Sequence, residues 1–173
     1  MPQVPGLDSR RSGPRHHWFV YVVFAFVGAL LTFVGARAQS KATDEATFRK
    51  LTDDYCAAWS SGNTANAAKF YAKDDGLIFY DLAPFSYNGW KDYETGVKKE
   101  FLDSSQSIVL TAGKDLKVTR RGNIAWTTVP MHLIDKTKDG KTIQLEVRYT
   151  GIWEKRGKAW VLVHEHLSTP LPG

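Results

Sequence analysis

The hydrophobic period of the sequence changes once, near Ile108, and this change constrains the fold more than any other feature. Before it, apolar side chains recur mainly every three or four residues, as on amphipathic helices. From Ile108 onward apolar and polar residues alternate, which is typical of half-buried β-strands. Helices followed by consecutive strands predict an α+β domain, with the helices packed on one face of a curved antiparallel sheet.

Three helices are predicted in the first part. The longest covers "ATDEATFRKLTDDYCAAWSSGN", where Thr43 or Asp44 would cap the start and "SSGN" would end it. Its apolar face is formed by Phe48, Leu51, Tyr55 and Trp59. The shorter segments "TANAAKFYA" and "WKDYETGVKKEFLDS" follow, and "LIFYD" between them is a candidate strand.

The second part predicts strands joined by hairpins. The connections "RRGN", "KTKDGK" and "KRGK" each place a glycine in a polar cluster, as hairpin loops do. The expected strands cover residues 107–120 with a break near Gly113, 123–135, 142–155 and 159–168.

The N-terminus has the layout of an export signal. Four arginines lie in the first 38 residues against one acid, Asp8, and an uncharged run extends from Trp18 to Gly35. The small-x-small site Ala36-Arg37-Ala38 follows, so we expect residues 1–38 to be a cleavable signal and residues 39–173 the mature domain. An uncleaved membrane anchor is the alternative, because the apolar run is just long enough to span a bilayer.

Both interpretations place the domain outside the cytoplasm, in the periplasm or secreted, since the arginines precede the apolar run. Membrane contact is expected only if the segment is uncleaved. Most of the formal net charge of +5 lies in the signal, and the rest of the chain is close to balanced. No basic stripe with interleaved aromatic residues appears, so nucleic acid is not predicted as a partner.

Three segments, "AAWSSGN", "LIFYDLAPFSYNG" and "RYTGIWEKRGKAWVLVHEHLS", carry a resemblance that spans roughly residues 43–170. The chain resembles the nuclear transport factor 2-like superfamily, with its SnoaL-like and ketosteroid isomerase-like domains. The last segment is also similar to the association domain of calcium/calmodulin-dependent protein kinase II. The resemblance implies a cone-shaped α+β roll with a pocket between sheet and helices, commonly as a homodimer. It implies no single function, because this fold hosts both enzymes and non-catalytic modules.

The kinase association domain has pocket arginines, and the resemblance carries them onto Gly151, Leu167 and a position near Thr128. None of these is an arginine here, so a carboxylate ligand held by an arginine cluster is not expected. The same comparison implies which side chains point inward: Val147, Tyr149, Gly151 and Trp153 on one strand, and Val163, Glu165 and Leu167 on the last.

Two carboxyl groups are candidates for acid/base chemistry. Glu165 would face the aromatic pocket, where burial raises the pKa of a carboxyl group. Its alternatives are a structural carboxylate bonded to Tyr149 or to a backbone amide, and a solvent-exposed carboxylate if the strand faces the other way. Asp81 ends "LIFYD", and ketosteroid isomerase-like proteins use a pocket aspartate to move protons. Its alternative, which we favour, is that it caps the turn.

A small, largely apolar organic molecule is the expected ligand. The binding candidates are Tyr55, Trp59, Trp126, His132, Tyr149 and Trp153. His164 and His166 share one strand face and could bind a metal with His132, but a structural role is favoured. No metal and no other cofactor is therefore predicted. The competing function is a non-catalytic module for oligomerisation or protein interaction.

Overall fold

Helix α1 opens the part of the chain that the computed structural model describes, which is residues 40–171. It runs from residue 40 to residue 60, and the predicted apolar face is confirmed because Phe48, Tyr55 and Trp59 are buried. The predicted cap is wrong, since Thr43 and Asp44 already lie inside the helix. The helix ends where "SSGN" predicted it.

Short elements follow α1 and confirm the other helical predictions. Helix α2 (Thr64–Ala67) continues into a 3-10 turn, and strand β1 (Ile78–Tyr80) is the predicted "LIFYD" strand. Strand β2 (Tyr87–Asn88) leads into helix α3 (Gly89–Val97), which continues as a π-helical turn. The 3-10 turn covers Ala68–Phe70 and the π-helical turn covers Lys98–Leu102.

The remaining strands form the meander that the alternation predicted. They are β3 (Ser105–Ala112), β4 (Lys117–Arg121), β5 (Ile124–Thr137), β6 (Thr142–Arg156) and β7 (Ala159–Ser168). The sheet has seven strands in the order β2-β1-β7-β6-β5-β3, with β4 paired to β5, and it is curved and not closed. The α+β architecture is therefore confirmed. One pairing departs from the antiparallel expectation, because β1 joins β7 in parallel.

Side chains alternate between the two faces along β6 and β7, and this alternation determines which of them point toward the helices. Val147, Tyr149 and Trp153 on β6 are buried as expected. On β7, Glu165 is fully buried, but Leu162 points inward instead of the predicted Val163. The pairing with β6 shifts there, which is a β-bulge that leaves one residue of β7 unpaired and reverses the alternation before it.

The core lies between the helices and this face of the sheet and is rich in aromatic rings. At one end Phe48 packs against Trp153 and Trp160, with ring centroids 6.1 Å and 4.9 Å away. At the other end a group of tyrosines lies around Glu165. The core thus has an apolar end and a polar, hydroxyl-rich end.

The predicted signal and the boundary at residues 38 and 39 lie outside the described residues. The described residues from Ala42 onward belong to one compact unit. Among residues 40–171, no helix is both long enough and apolar enough to cross a membrane.

Candidate functional site

A small cavity lies between the sheet, α1, and α3 with the π-helical turn that follows it, together called the α3 segment. It measures about 70 Å³, which is room for several water-sized groups. Its wall is mostly apolar and includes Val97, Phe101, Leu110, Leu133, Val147 and Leu167. Tyr55, Trp59 and Tyr93 add aromatic surface from the helices, and Asp81 and Asp135 add carboxyl groups. The arrangement is that of a pocket for an apolar molecule with a few polar groups.

Asp81 follows β1 at the cavity wall. Its Oδ1 accepts a hydrogen bond from the Leu82 amide at 2.7 Å, so the turn-capping role favoured from the sequence is present. Its Oδ2 accepts one from the Tyr93 hydroxyl at 2.9 Å. Burial raises the pKa of Asp81 to about 6, although both hydrogen bonds act in the opposite direction. A carboxyl group with this pKa can accept and return a proton near neutral pH.

Glu165 lies behind the cavity wall and is fully buried. Tyr55 donates a hydrogen bond to its Oε2 at 3.0 Å, and Tyr71 donates one to its Oε1 at 2.8 Å. The Tyr71 hydroxyl in turn accepts a hydrogen bond from Trp59 Nε1 at 3.1 Å. Burial raises the pKa of Glu165 to about 8, so the carboxyl group holds a proton at neutral pH.

Asp81 and Tyr93 both affect the pKa of the buried Glu165 carboxyl group. The charge of Asp81 raises the pKa of Glu165, while the Tyr93 hydroxyl lowers it. Burial raises the pKa values of Tyr55, Tyr71 and Tyr93 well above their ordinary value, so these hydroxyls stay protonated and act as donors. Asp81, which lines the cavity, is therefore the better placed of the two to exchange a proton with a bound molecule.

Asp135 on β5 was missed in the sequence, although a signal for it exists. The other inward-facing positions of β5, such as Ala125, Met131 and Leu133, are buried or half-buried, and none of them is an acid. An aspartate in this apolar phase of a strand is the pattern that could have identified it. Its Oδ1 is buried and has no hydrogen-bond partner among the described residues.

Four of the six predicted binding residues are buried between the helices and the sheet, but only two of these four line the cavity. Tyr55 and Trp59 form part of its wall. Tyr149 packs against Tyr55 with ring centroids 5.3 Å apart, and Trp153 donates a hydrogen bond from Nε1 to the Thr127 hydroxyl at 3.0 Å. Tyr149 and Trp153 therefore support the core behind the cavity.

Trp126 and His132 lie on the opposite face of the sheet. The inward orientation predicted for Trp126 is wrong, because its β5 neighbours Ala125 and Thr127 are fully buried and Trp126 is 39% exposed. His132 has the same parity on β5, and its Nδ1 lies 2.8 Å from Glu146 Oε1 on β6. Neither side chain reaches the cavity.

The histidine pair of β7 points away from Glu165, as predicted. His164 Nδ1 donates a hydrogen bond to the Ile78 carbonyl oxygen at 2.7 Å, which ties β7 to β1. Tyr80 packs edge-on against both His164 and His166. Within residues 40–171, no three His, Cys, Asp or Glu side chains are grouped so that they could hold a metal ion.

Comparison with protein families agrees with this architecture. The family model described as SnoaL-like domain matches residues 49–172. No protein with a curated description matches the chain significantly.

Solved structures show the same fold at low sequence identity. A nuclear transport factor 2-like superfamily protein from Salmonella enterica has a TM-score of 0.66 and 17% identity, covering 76% of this chain and 94% of its own. A proposed calcium/calmodulin-dependent protein kinase II association domain from Xanthomonas campestris has a TM-score of 0.60 and 21% identity, covering 72% and 86%. A proposed scytalone dehydratase from Novosphingobium aromaticivorans has a TM-score of 0.68 and 10% identity, covering 78% and 89%. The resemblance to the superfamily is confirmed, and at these identities it extends to the fold alone.

Proposed function

Because the chain belongs to the SnoaL-like domain family, we propose that it binds a small, mostly apolar organic molecule in the cavity and moves a proton on it with Asp81. The observation that carries this proposal is the position of Asp81, which lines the cavity with a pKa raised to about 6. A base with a pKa in this range accepts a proton from a substrate and releases it again in the same catalytic cycle.

The proposed chemistry divides two roles between neighbouring groups. Asp81 takes a proton from a carbon of the substrate, and the Tyr93 hydroxyl keeps the carboxylate oriented through its 2.9 Å hydrogen bond. The proton returns to another carbon in an isomerisation, or to a leaving hydroxyl group in an elimination of water. A solved relative described as a proposed dehydratase supports this reaction class.

Glu165 acts as a positioning residue in this scheme. It does not line the cavity, but its two tyrosine partners belong to the helical wall and to the turn after α2. As a buried, protonated acid it holds Tyr55 beside the ligand without placing a second negative charge near Asp81.

Mass spectrometry of small molecules that co-purify with the protein tests the ligand directly. We expect a small apolar compound, released on denaturation. With that compound as substrate, Asp81→Asn should lower kcat by about 10²–10⁴, the usual contribution of a general base. Asp75→Asn is the matched control, because Asp75 is exposed. Full activity of Asp81→Asn would exclude Asp81 as the base.

A non-catalytic association module is the second candidate, and the outer face of the sheet favours it. Val109, Ile124 and Trp126 are between 38% and 48% exposed there, which is apolar surface suited to a homodimer. Sedimentation at several concentrations measures the oligomeric state. A monomer at every concentration would remove the support for this candidate and for the homodimer.

We also propose that the domain is exported, on the sequence pattern of residues 1–38. Cleavage after Ala38 gives a mature chain that begins at Gln39. N-terminal sequencing of protein from the exported fraction tests this. A membrane-bound chain that retains Trp18–Gly35 would support the anchor instead.

A further inference from the structure

Asp135 has a buried oxygen atom without a partner, and this is unusual. The residue is 7% exposed, and its Oδ1 forms no hydrogen bond within residues 40–171. Most buried polar atoms in folded proteins have at least one hydrogen-bond partner, because an unpaired one has lost its hydration without replacement. The side chain lines the cavity, and neither of its oxygens has a hydrogen-bond partner among the described residues, so a donor on a bound molecule can reach the carboxyl group.

The charges around the cavity indicate what kind of donor fits. Apart from the tyrosines, the ionisable side chains in the described wall are Asp81 and Asp135, and both are acids. No lysine, arginine or histidine of the described residues lines the cavity. An anionic ligand would meet like charge without compensation, whereas a cation would be attracted from both ends. The aromatic faces of Trp59 and Tyr93 add a favourable surface for a cation.

We infer that the ligand is an apolar amine whose positively charged nitrogen binds the carboxyl group of Asp135, an inference that rests on the proposed function of the cavity. The ammonium group donates a hydrogen to the side of the carboxyl group that lines the cavity, and it brings the missing positive charge. Asp135 thereby determines specificity and does not take part in proton transfer.

The topology separates this binding group from the proposed base. Asp135 lies on β5 and Asp81 follows β1, with β6 and β7 between them in the sheet order. The amine would therefore be held at one end of the cavity while the reacting carbon lies at the other. The cavity of about 70 Å³ is about half the size of one that encloses benzene, about 150 Å³, so it encloses only part of a one-ring ligand.

Four probes that share one phenyl ring and one attached carbon test the inference: toluene, benzyl alcohol, benzylamine and benzoate. Their dissociation constants for the full-length protein are measured by calorimetry, and the indole N–H resonance of Trp59 reports binding in the cavity. We expect benzylamine to bind at least tenfold more tightly than toluene or benzyl alcohol, and benzoate to bind most weakly. A hydrogen bond to a charged group accounts for a factor of this size.

Two variants at Asp135 test whether this residue causes the preference for benzylamine. Asp135→Asn keeps the shape and should remove at least tenfold of the benzylamine affinity, while toluene binds as before. Asp135→Leu removes the unpartnered oxygen, should fold at least as well, and should bind toluene but show no preference for benzylamine. The exposed Asp75→Asn variant is the control and should match the unmodified protein with all four probes.

The outcomes separate this inference from the proposed function. If toluene binds and benzylamine has no advantage, the amine inference is wrong and the cavity remains a ligand site. If benzylamine is preferred equally by the unmodified protein and by both Asp135 variants, Asp135 is not the group that binds it. If none of the four probes shifts the Trp59 resonance, the amine inference and the proposed ligand site both fail.

Discussion

Two groups of buried polar side chains lie between the helices and the sheet, and they differ in whether their hydrogen bonds are complete. The sealed cluster consists of Glu165, Tyr55, Tyr71 and Trp59. Both carboxyl oxygens of Glu165 accept a tyrosine hydroxyl, and Tyr71 accepts the indole N–H of Trp59. Its members satisfy one another, as buried polar groups in stable cores do.

The open cluster consists of Asp81, Tyr93 and Asp135. Asp81 and Tyr93 are hydrogen-bonded to each other, but the Oδ1 of Asp135 lacks a partner among the described residues. Both carboxyl groups of this cluster line the cavity, whereas Glu165 does not. A polar network that is complete within the protein supports the fold, and we infer that an incomplete one beside a cavity is where a ligand binds. Variants of Glu165 and Tyr71, which do not line the cavity, should therefore change stability, and variants of Asp81 and Asp135 should change binding.

The largest expected effect comes from removing the centre of the sealed cluster. Glu165→Ala leaves the hydroxyls of Tyr55 and Tyr71 without an acceptor and opens a cavity in the core. We expect the free energy of unfolding to fall by about 3–5 kcal/mol, measured by urea denaturation. Glu146→Ala, at an exposed glutamate of β6, should change it by less than about 0.5 kcal/mol. Equal effects of the two substitutions would mean that Glu165 does not organise the core.

The next effect is a pH dependence of stability. Burial raises the pKa of Glu165 from 4.5 to about 8, so the folded state holds a proton that the unfolded chain releases. The contribution of this group is fully present below pH 4.5 and is lost as the pH rises through about 8. Glu165→Gln keeps the shape but does not titrate. Thermal melts from pH 4 to 9 should show the unmodified protein losing a few kcal/mol relative to the Gln variant. Parallel pH profiles would mean that Glu165 is ionised in the folded state.

Tyr71→Phe should have a smaller effect within the same cluster. The substitution removes one hydroxyl and leaves Oε1 of Glu165 and Nε1 of Trp59 unsatisfied. We expect a loss of about 1.5–3 kcal/mol in the free energy of unfolding. Tyr80→Phe is the control, because Tyr80 is 37% exposed and should tolerate the change. Toluene binding should persist in Tyr71→Phe, since Tyr71 does not line the cavity.

Much of the fold follows from local sequence patterns. The spacing of Phe48, Tyr55 and Trp59 predicted the buried face of α1, and the polar glycine turns predicted the hairpins of the sheet. These features depend on neighbours in the chain, so a single sequence contains them. The inward direction of Glu165 also followed, from alternation on β7 and the family resemblance. The bulge on β7 did not, because it arises from pairing with β6 and has no local signal.

The site was less predictable because it is assembled from distant parts of the chain. Tyr71 bonds to Glu165 across 94 positions, and no periodic pattern marks it as a partner. Trp126 was expected on the inward face as a binding residue, but the alternation of β5 places it on the opposite face, between the buried Ala125 and Thr127. Asp135 could have been found from the apolar phase of β5. That its oxygen lacks a partner depends on the packing of β3, β5 and the α3 segment, which the sequence does not reveal.

The smallest expected effect belongs to Tyr149→Phe, and it measures how complete the sealed cluster is. Tyr149 packs against Tyr55, but its own hydroxyl is buried without a partner among the described residues. The hydroxyl lies above Gly151, only 2.5 Å from where a Cβ would stand. Removing it breaks no hydrogen bond and deletes a desolvated polar atom, so the free energy of unfolding should change by less than about 0.5 kcal/mol or rise slightly.

Tyr149→Phe is compared with Tyr71→Phe, because both substitutions delete one tyrosine hydroxyl near the carboxyl group of Glu165. Urea denaturation of the two variants under one set of conditions compares them directly. A difference of at least 1 kcal/mol in favour of Tyr149→Phe is expected if hydrogen bonding, and not burial alone, stabilises the cluster. If the two variants lose the same stability, the Tyr149 hydroxyl has a partner in solution. A water molecule or a ligand must then reach it, and the cluster around Glu165 would be part of the open site.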